Sequence, residues 1–596
     1  SGNRLTQLKA PSPLAGEGGG ERGFGFTYDS LGRRTKLTYP NGVTTNYTYD
    51  SSGYLTNLLT QYAELQNHGK KRPPILKLHT LNSFTYTHDK VGNRLTKTDT
   101  HTDTKYTYDT IYRLLQSTPV KVHNDKEKEF EHRLVPESFY QGAETFTYDP
   151  AGNRLTGPKE KLAYSYNVAN QLTELAKVPL NKGKQPPLIP PLLRGIEGVV
   201  QDEGESPDSV VRSFSFAEEK KTEYTYDNNG NLIKKFEFDE DGNIKRTTFY
   251  TYDFENRLTK VEVQKNRPTL SPLMEPALSE AEGKEGIGGG LKIVTFTYDP
   301  FGRRLSKAVH MEEIDEEDDG VDNDKDEDHH HTPRATYYIY DNEDIIMEYN
   351  HRGKITARYV HGLGIDEPLA IERLAPERLN QGKGKVYYYH FDGLGSVTAL
   401  TDSKGKMVQR YEYDSFGKLK RHGNKIKNAY TYTSREYDRE TGLYYFRARY
   451  YDAKVGRFIS FDHILRGFSH TEATTCRKSI NSFPLLQPQK LHPYIYTGNA
   501  PINWVDPWGE CPATIDTGWI YTTEGPNRAT DYRYQSQYRE RTLGTLIKQS
   551  GKCENRCGGI IDCTYIFAEG YYARKRDYDR GTRTYGNWDG WRGYEN

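Results

Sequence analysis

No stretch of this chain approaches the ~18 consecutive apolar residues that a membrane-crossing helix needs, so no helical membrane span is expected. Sulfur is scarce: 596 residues hold 4 Met and 5 Cys. Four of those cysteines, Cys511, Cys553, Cys557 and Cys563, fall after residue 510, so cysteine says nothing about the rest of the chain. Charge of one sign is also missing, because 82 basic and 82 acidic residues leave a formal net charge of +0. Nothing in the bulk charge draws the chain to nucleic acid or an anionic membrane. Apolar residues are only 34% of the chain and charged residues 28%, a balance that by itself suits disorder. Against that stand 48 Tyr and 22 Phe. A Tyr ring can be buried while its hydroxyl stays wet, which fits a thin wall better than a thick core. The chain opens at Ser1 without Met or a signal-peptide pattern and reads as a trimmed piece, so no export route is legible in it.

What is present is a repeat. Tyr28-Asp29 with Gly32-Arg33-Arg34, Tyr47-Thr48-Tyr49-Asp50 with Gly53, and Asp89 with Gly92-Asn93-Arg94 begin a series. Tyr148-Asp149, Tyr226-Asp227, Tyr252-Asp253, Tyr298-Asp299 and Tyr413-Asp414 continue it. Undisturbed copies lie roughly 20 residues apart, the length of one hairpin that must stack on neighbours to bury a face. In Tyr224-Thr225-Tyr226 the period-two alternation puts both rings on one face of a strand. Asp227 begins a turn by accepting backbone N–H groups, Gly230 supplies positive φ, and Asn231-Leu232-Ile233 starts the return strand. Neighbouring units are expected to set Tyr beside Tyr across strands. These residues build a scaffold and perform no chemistry. Five segments lack the pattern and are read as loop insertions: Pro11 to Gly25, Arg72 to Leu78, Lys182 to Val200, Arg267 to Lys292 and Gly467 to Lys490. The acidic run Glu312 to Asp328, followed by His329-His330-His331, lacks EF-hand spacing and is read as a solvated loop rather than a Ca²⁺ site.

Between Tyr430 and Glu510 the pattern changes. Arg435-Glu436-Tyr437-Asp438 runs into Thr441-Gly442-Leu443-Tyr444-Tyr445, and Arg447-Ala448-Arg449-Tyr450-Tyr451-Asp452 follows. Gly456 to Asp462, Tyr494 to Pro501 and Asp506-Pro507-Trp508-Gly509 complete the series. In this order the five motifs resemble the core that closes the repeat region of bacterial Rhs, or YD-repeat, proteins; Tyr387 to Val397 resembles a further wall segment of that family. His390, on that Tyr-rich strand, is read as structural. The resemblance implies an all-β chain: a large spiral of antiparallel hairpins forming a hollow shell, with a small C-terminal cargo domain of unknown fold. It divides the chain into a repeat shell (1–385), a core that closes it (386–510) and a variable, toxin-type tail (511–596).

The same resemblance, which extends to the C components of insecticidal Tc toxins, implies aspartic self-cleavage just after the D-P-x-G-L motif. Carried over by motif, the catalytic residues are Asp462, Asp506 and Arg449, and the cleavage site is Gly509, Glu510 and Cys511. Two adjacent carboxylates cannot both ionise, so one serves as acid while the other activates water, and an Arg holds one of them charged. The plainer reading makes Asp462 and Asp506 turn residues. Two departures favour it: His463 stands where the family usually has Pro, and Glu510 where it has Leu. A third carboxylate ~5 Å from the pair would repel it by about 3 kcal/mol at an effective dielectric of about 20, slowing cleavage roughly a hundredfold.

The tail contains no His, which removes HNH nucleases, His-based ribonucleases and His-x-Glu zinc deaminases. Its cysteines lack C-x-x-C spacing and are read as disulfides formed after export rather than zinc ligands. Arg574-Lys575-Arg576 among Tyr571, Tyr572 and Tyr578 could contact nucleic acid, but such a cluster is more often an exposed strand or helix end. No cofactor is expected. The partners implied are the tail itself as enclosed cargo, a secretion apparatus and a cognate immunity protein, and the implied location is secreted or at the cell envelope. Two functions stay open: a toxin-delivery shell, or a cell-surface recognition and adhesion scaffold with a remnant tail.

Overall fold

A computed structural model describes residues 6–8, 23–66, 75–100, 102–121, 142–157, 162–177, 221–265, 291–312, 334–362, 364–374, 384–422, 426–463 and 492–510, and beyond these only the backbone of short tail strands. The inserts lie mainly outside the described residues, as do the acidic run beyond Glu312, His329-His330-His331, Cys511, the tail cysteines and Arg574-Lys575-Arg576. Where their borders are described, the expected inserts overreach. Strands Phe24–Tyr28, Ile75–His88 and Leu291–Tyr298 run into three of them, because backbone pairing continues past the Tyr pattern, to Gln66↔Ile75 and Gln264↔Leu291.

The expected all-β architecture is what folds. Among the described residues, strands pair antiparallel with their sequence neighbours throughout, in one ten-stranded sheet from Gln7–Leu8 to Glu144–Thr145 and one sixteen-stranded sheet from Leu162–Tyr166 to Leu419–His422. Two isolated bridges, Tyr148↔Arg154 and Thr156↔Ala163, carry the chain from one to the other. Most of the described hairpins turn in the same way. Asp29 N–H donates to the Arg33 carbonyl and Gly32 N–H to the Asp29 carbonyl, while Asp29 Oδ1 accepts Arg33 N–H at 2.9 Å and its Oδ2 takes Arg33 Nε at 2.6 Å. Gly32 sits at φ 89°, a conformation that favours glycine.

The Tyr residues of the Y-x-Y-D units do not sit opposite one another as the repeat suggested, although Tyr337 lies opposite Tyr349. The register sets Tyr224 opposite Lys235 and Tyr106 opposite Ser117. The Tyr before each Asp instead reaches back one unit and donates its hydroxyl to the carbonyl of the residue five places after the previous Asp. Tyr49 donates to Arg34 at 2.7 Å, Tyr108 to Arg94 at 2.6 Å, Tyr252 to Leu232 at 3.0 Å, Tyr340 to Arg304 at 2.8 Å and Tyr413 to Val397 at 2.6 Å. These bonds satisfy carbonyls that the bulge beside each turn leaves out of the ladder.

The spiral closes on itself and on the core. Arg34 pairs with Glu367, Tyr39 donates to the Tyr389 carbonyl at 2.8 Å, and Lys97 meets Asp392 at 3.2 Å. The core contributes a four-stranded sheet, Glu436–Asp438, Leu443–Phe446, Arg449–Asp452 and Arg457–Phe458. One face of it, with Tyr445 and Tyr450, packs on Tyr250, Val261 and Phe296 of the wall. The opposite face, with Phe446, Tyr451 and Phe458, packs on Tyr496 and Val505. Arg304, 1% exposed, ties wall to core through Asp438 at 2.5 Å and the Tyr445 ring at 4.5 Å. His390 is fully buried, bonded to Thr401 Oγ1 at 2.8 Å and pushed down to about 3 by burial, which makes it a neutral part of the wall.

Candidate self-cleavage site

Strand alternation decides which way the core's charged residues face. On Arg449–Asp452, Tyr450 and Asp452 turn toward the wall, so Arg449 turns with Tyr451 to the other side. Arg449 is 4% exposed and lies over the Phe458 ring at 3.7 Å. Its Nη2 meets Asp462 Oδ2 at 3.0 Å and Asp506 Oδ2 at 3.5 Å. The three residues carried over by motif, from places up to fifty-odd positions apart, thus meet on one nitrogen. Both carboxylates are buried, Asp462 at 6% and Asp506 at 1% exposure. Nη1 of Arg449 donates to the Pro493 carbonyl at 3.0 Å, and Asp462 N–H donates to the same oxygen at 3.1 Å.

Asp506 begins a turn of the same kind as the repeats. Its Oδ1 accepts Glu510 N–H at 3.0 Å, and Gly509 N–H closes back on its carbonyl at 3.4 Å. At seven wall turns the residue four places on is Arg or Asn and takes the second oxygen: Arg33, Arg113, Arg257 and Arg303 at 2.6–2.7 Å, Asn93, Asn153 and Asn231 at 2.8–2.9 Å. Glu510 has no donor to offer, so Oδ2 is left to Arg449. Asp506 is therefore a turn residue and a member of the pair at once. Burial, with lesser contributions from Asp462 and Glu510, pushes its carboxyl up to about 6 against the pull of Arg449 and Glu510 N–H.

The turn itself is held from several sides. Trp504–Val505 and Ala513–Thr514 pair antiparallel, and the turn at residues 506–510 follows directly on the first of these strands. Arg449 Nε donates to the Gly509 carbonyl, the acceptor end of the Gly509–Glu510 peptide. Ala448 N–H donates to the Trp508 carbonyl at 3.2 Å, and Arg447 donates to the Pro507 carbonyl with its guanidinium 4.8 Å from the Trp508 ring. Gly509 has φ 69°, and a Cβ there would meet the Phe446 carbonyl oxygen at 2.3 Å, so the backbones touch only because the residue is glycine. Asp366, itself at φ 57°, clamps Arg447 at 2.7 Å and Arg435 at 2.5 Å. His463 Nε2 lies 3.2 Å from Glu510 Oε1.

The structure brings Arg449, Asp462, Asp506, Gly509 and Glu510 together, and adds Asp366, Arg447 and the Pro493 carbonyl, which the sequence did not single out. Arg447 lies in the turn before the strand Arg449–Asp452, at φ 57°, where strand alternation gives no signal for it. Asp366 lies outside the motifs and carried none. Among the described residues no cluster of His, Cys, Asp and Glu is arranged to hold a metal ion, and no helix is long and apolar enough to cross a membrane.

Residues 329–502 match the family model Teneurin YD-shell, and residues 25–61 match RHS Repeat. A tRNA3(Ser)-specific nuclease, WapA, of Bacillus spizizenii is 26% identical over 343 residues, covering 56% of this chain and 10% of that protein. A double-stranded DNA deaminase toxin of Burkholderia cenocepacia is 25% identical over 297 residues, covering 46% of this chain and 17% of that protein. The chain thus spans about a tenth to a sixth of the length of these relatives. A crystal structure of TcdB2-TccC3 overlays 82% of this chain on 22% of its own, with TM-score 0.33 and 16% identity.

Proposed function

Because this chain belongs to the Rhs, or YD-repeat, proteins, we propose that it is a toxin-delivery shell that encloses its tail, residues 511–596, and frees it by aspartic self-cleavage. In this reading 1–385 is the shell and 386–510 the closing core. Its partners are the enclosed tail, a secretion apparatus and a cognate immunity protein, and it acts at or beyond the cell envelope. One of the named relatives is a nuclease and the other a deaminase toxin, which supports a toxin tail; the nucleic-acid chemistry in their names belongs to them.

One observation carries the cleavage: a single guanidinium holds Asp462, Asp506 and the Gly509 carbonyl together. Asp462, the nearer of the two to Arg449, is the base that takes a proton from water. Asp506, raised to about 6, is the acid that gives one to the leaving amine. Water adds across one peptide bond, hydroxyl to the carbonyl carbon and hydrogen to the amine, so atoms balance without a co-reactant. Mass spectrometry of the purified 596-residue chain during incubation tests this. Glu510→Leu should speed release of a fragment beginning at Cys511, and Asp462→Asn or Asp506→Asn in that background should abolish it. A fragment beginning at Glu510 would assign the cut to the bond whose carbonyl Arg449 holds. Release that persists with both Asp replaced would overturn the reading. Expression of residues 511–596 in a bacterial cytoplasm tests the cargo, with growth arrest as the expected result.

A further inference from the structure

Three carboxylates converge on one buried cation. Asp462 and Asp506 both lie against Arg449 Nη2, and Glu510 is drawn into the same turn by its N–H on Asp506 Oδ1. One guanidinium cannot offset three ionised carboxylates in a site from which water is largely excluded. The Glu510 side chain, 18% exposed, is met instead by His463, 51% exposed, at 3.2 Å. His463 directly follows Asp462, so one short segment supplies both a member of the pair and the group that holds the third carboxylate. The imidazole needs no charge to do so, since an Nε2–H donates to a carboxylate oxygen in either protonation state. Glu510 lies between the two candidate bonds. The two positions at which the core motif is altered are therefore in contact with each other.

We propose that His463 is a specificity-determining residue, which takes the side chain at position 510, matches it to an acidic group, and keeps that group off the Asp462–Asp506 pair. The proposal rests on the self-cleavage reading above, and deepens it by naming what reads the residue beside the cut.

The test is a cycle in the full chain: His463→Leu, His463→Gln, Glu510→Leu and the double variant His463→Leu/Glu510→Leu, each followed by intact-mass kinetics of fragment release and by hydrogen–deuterium exchange of the peptide containing Glu510. Loss of the imidazole in His463→Leu should slow release about tenfold, the scale of one partly exposed charge-assisted hydrogen bond. His463→Gln, which keeps an N–H donor, should recover most of that loss. With Glu510→Leu in place, His463→Leu should make no further difference, because the effects of residues in contact are not additive. Equal slowing by His463→Leu in both backgrounds would overturn the proposal. Should no variant release a fragment, the self-cleavage reading falls while the exchange arm still decides this one. Faster exchange at the Glu510 amide in His463→Leu, rescued by Gln, supports the contact, and unchanged exchange overturns it.

Discussion

The wall and the core use the same turn for different ends. At Asp299 both carboxylate oxygens are spent within the turn: Oδ1 accepts Phe301 and Arg303 N–H at 2.9 Å, and Oδ2 takes Arg303 Nε at 2.6 Å. The group is then a pure fastener, with both oxygens held inside its own turn. At Asp506 the residue four places on is Glu510, and only Oδ1 is engaged within the turn by its N–H. Its other oxygen faces a buried arginine shared with Asp462. A residue at that place whose side chain cannot take Oδ2 leaves the oxygen to whatever the surrounding fold brings, and at Asp506 that is a buried arginine.

The most severe way to break the distinction is to convert one turn into the other. Glu510→Arg would give Asp506 the partner that Arg303 gives Asp299, drawing Oδ2 away from Arg449. Release should then fall at least about a hundredfold, the scale of losing one well-placed charge interaction, while the melting temperature holds. Intact-mass kinetics beside a thermal melt separates the two; a cut chain at the wild-type rate would mean that Oδ2 plays no part.

The converse change removes the fastener from the wall. Asp299→Ala strips acceptors from two backbone N–H groups and leaves Arg303 without its 2.6 Å partner. It should cost about 2–3 kcal/mol of unfolding free energy, read by denaturant titration, with release unaffected. Asp299→Asn keeps the Oδ1 acceptor and should cost about half as much.

Much of this was legible because it is local. The Asp and, at most turns, the Gly three places on define the turn within five residues, and period-two alternation names the buried ring. The core was legible by motif order, though not in space: that Arg449 would reach both Asp462 and Asp506 depends on strands brought together from three parts of the chain. The bond between units was missed, yet a trace of it was there. Three places before Asp or Asn, Phe and Tyr interchange, as in Phe26, Tyr164 and Phe296, because that ring is buried at 3% exposure in each. One place before, Tyr stands at residues 49, 108, 148, 252, 298 and 413, where its hydroxyl is bonded, though His88 and Phe391 hold that place at two other turns. Cross-strand pairing was the wrong expectation, since a Tyr with its hydroxyl committed one unit back stands beside whatever the register brings.

pH sharpens the comparison, since the two kinds of aspartate respond with opposite sign. At Asp29 burial raises the carboxyl, but the Arg33 side chain and backbone bonds outweigh it and hold it below its usual range. Such a group adds stability above its unfolded value that is lost as pH falls. Asp506 is raised from 3.8 to about 6, so its contribution is fully present below pH 3.8 and is lost as pH rises through about 6. Asp414 behaves likewise, pushed up to about 7 by burial and by Glu144, where Ser415 binds Glu144 at the seam between the first sheet and the last wall turns. Asp506→Asn should remove about 2 kcal/mol of the stability lost between pH 4 and pH 7, measured as a flatter melting temperature against pH. An Asp506→Asn profile parallel to wild type would show that the carboxyl is ordinary.

The smallest effect separates the wall's fasteners from one another. Tyr340 donates to the Arg304 carbonyl at 2.8 Å, and Arg304 is the residue that ties wall to core. Tyr252 makes the same bond to the Leu232 carbonyl at 3.0 Å. Removing either hydroxyl leaves the ring in place and one carbonyl without its donor, which should cost about 1 kcal/mol. Tyr252→Phe should therefore lower unfolding free energy by about that amount and leave release unchanged. Tyr340→Phe should cost the same in stability, and also raise hydrogen–deuterium exchange in the strand Glu436–Asp438, because Arg304 delivers its charge to Asp438 from a backbone that Tyr340 holds. If both variants leave exchange in that strand alone, the inter-unit bond fastens hairpins only. If Tyr340→Phe alone raises it, the repeat's hydroxyl reaches through one arginine to the sheet that carries Arg449.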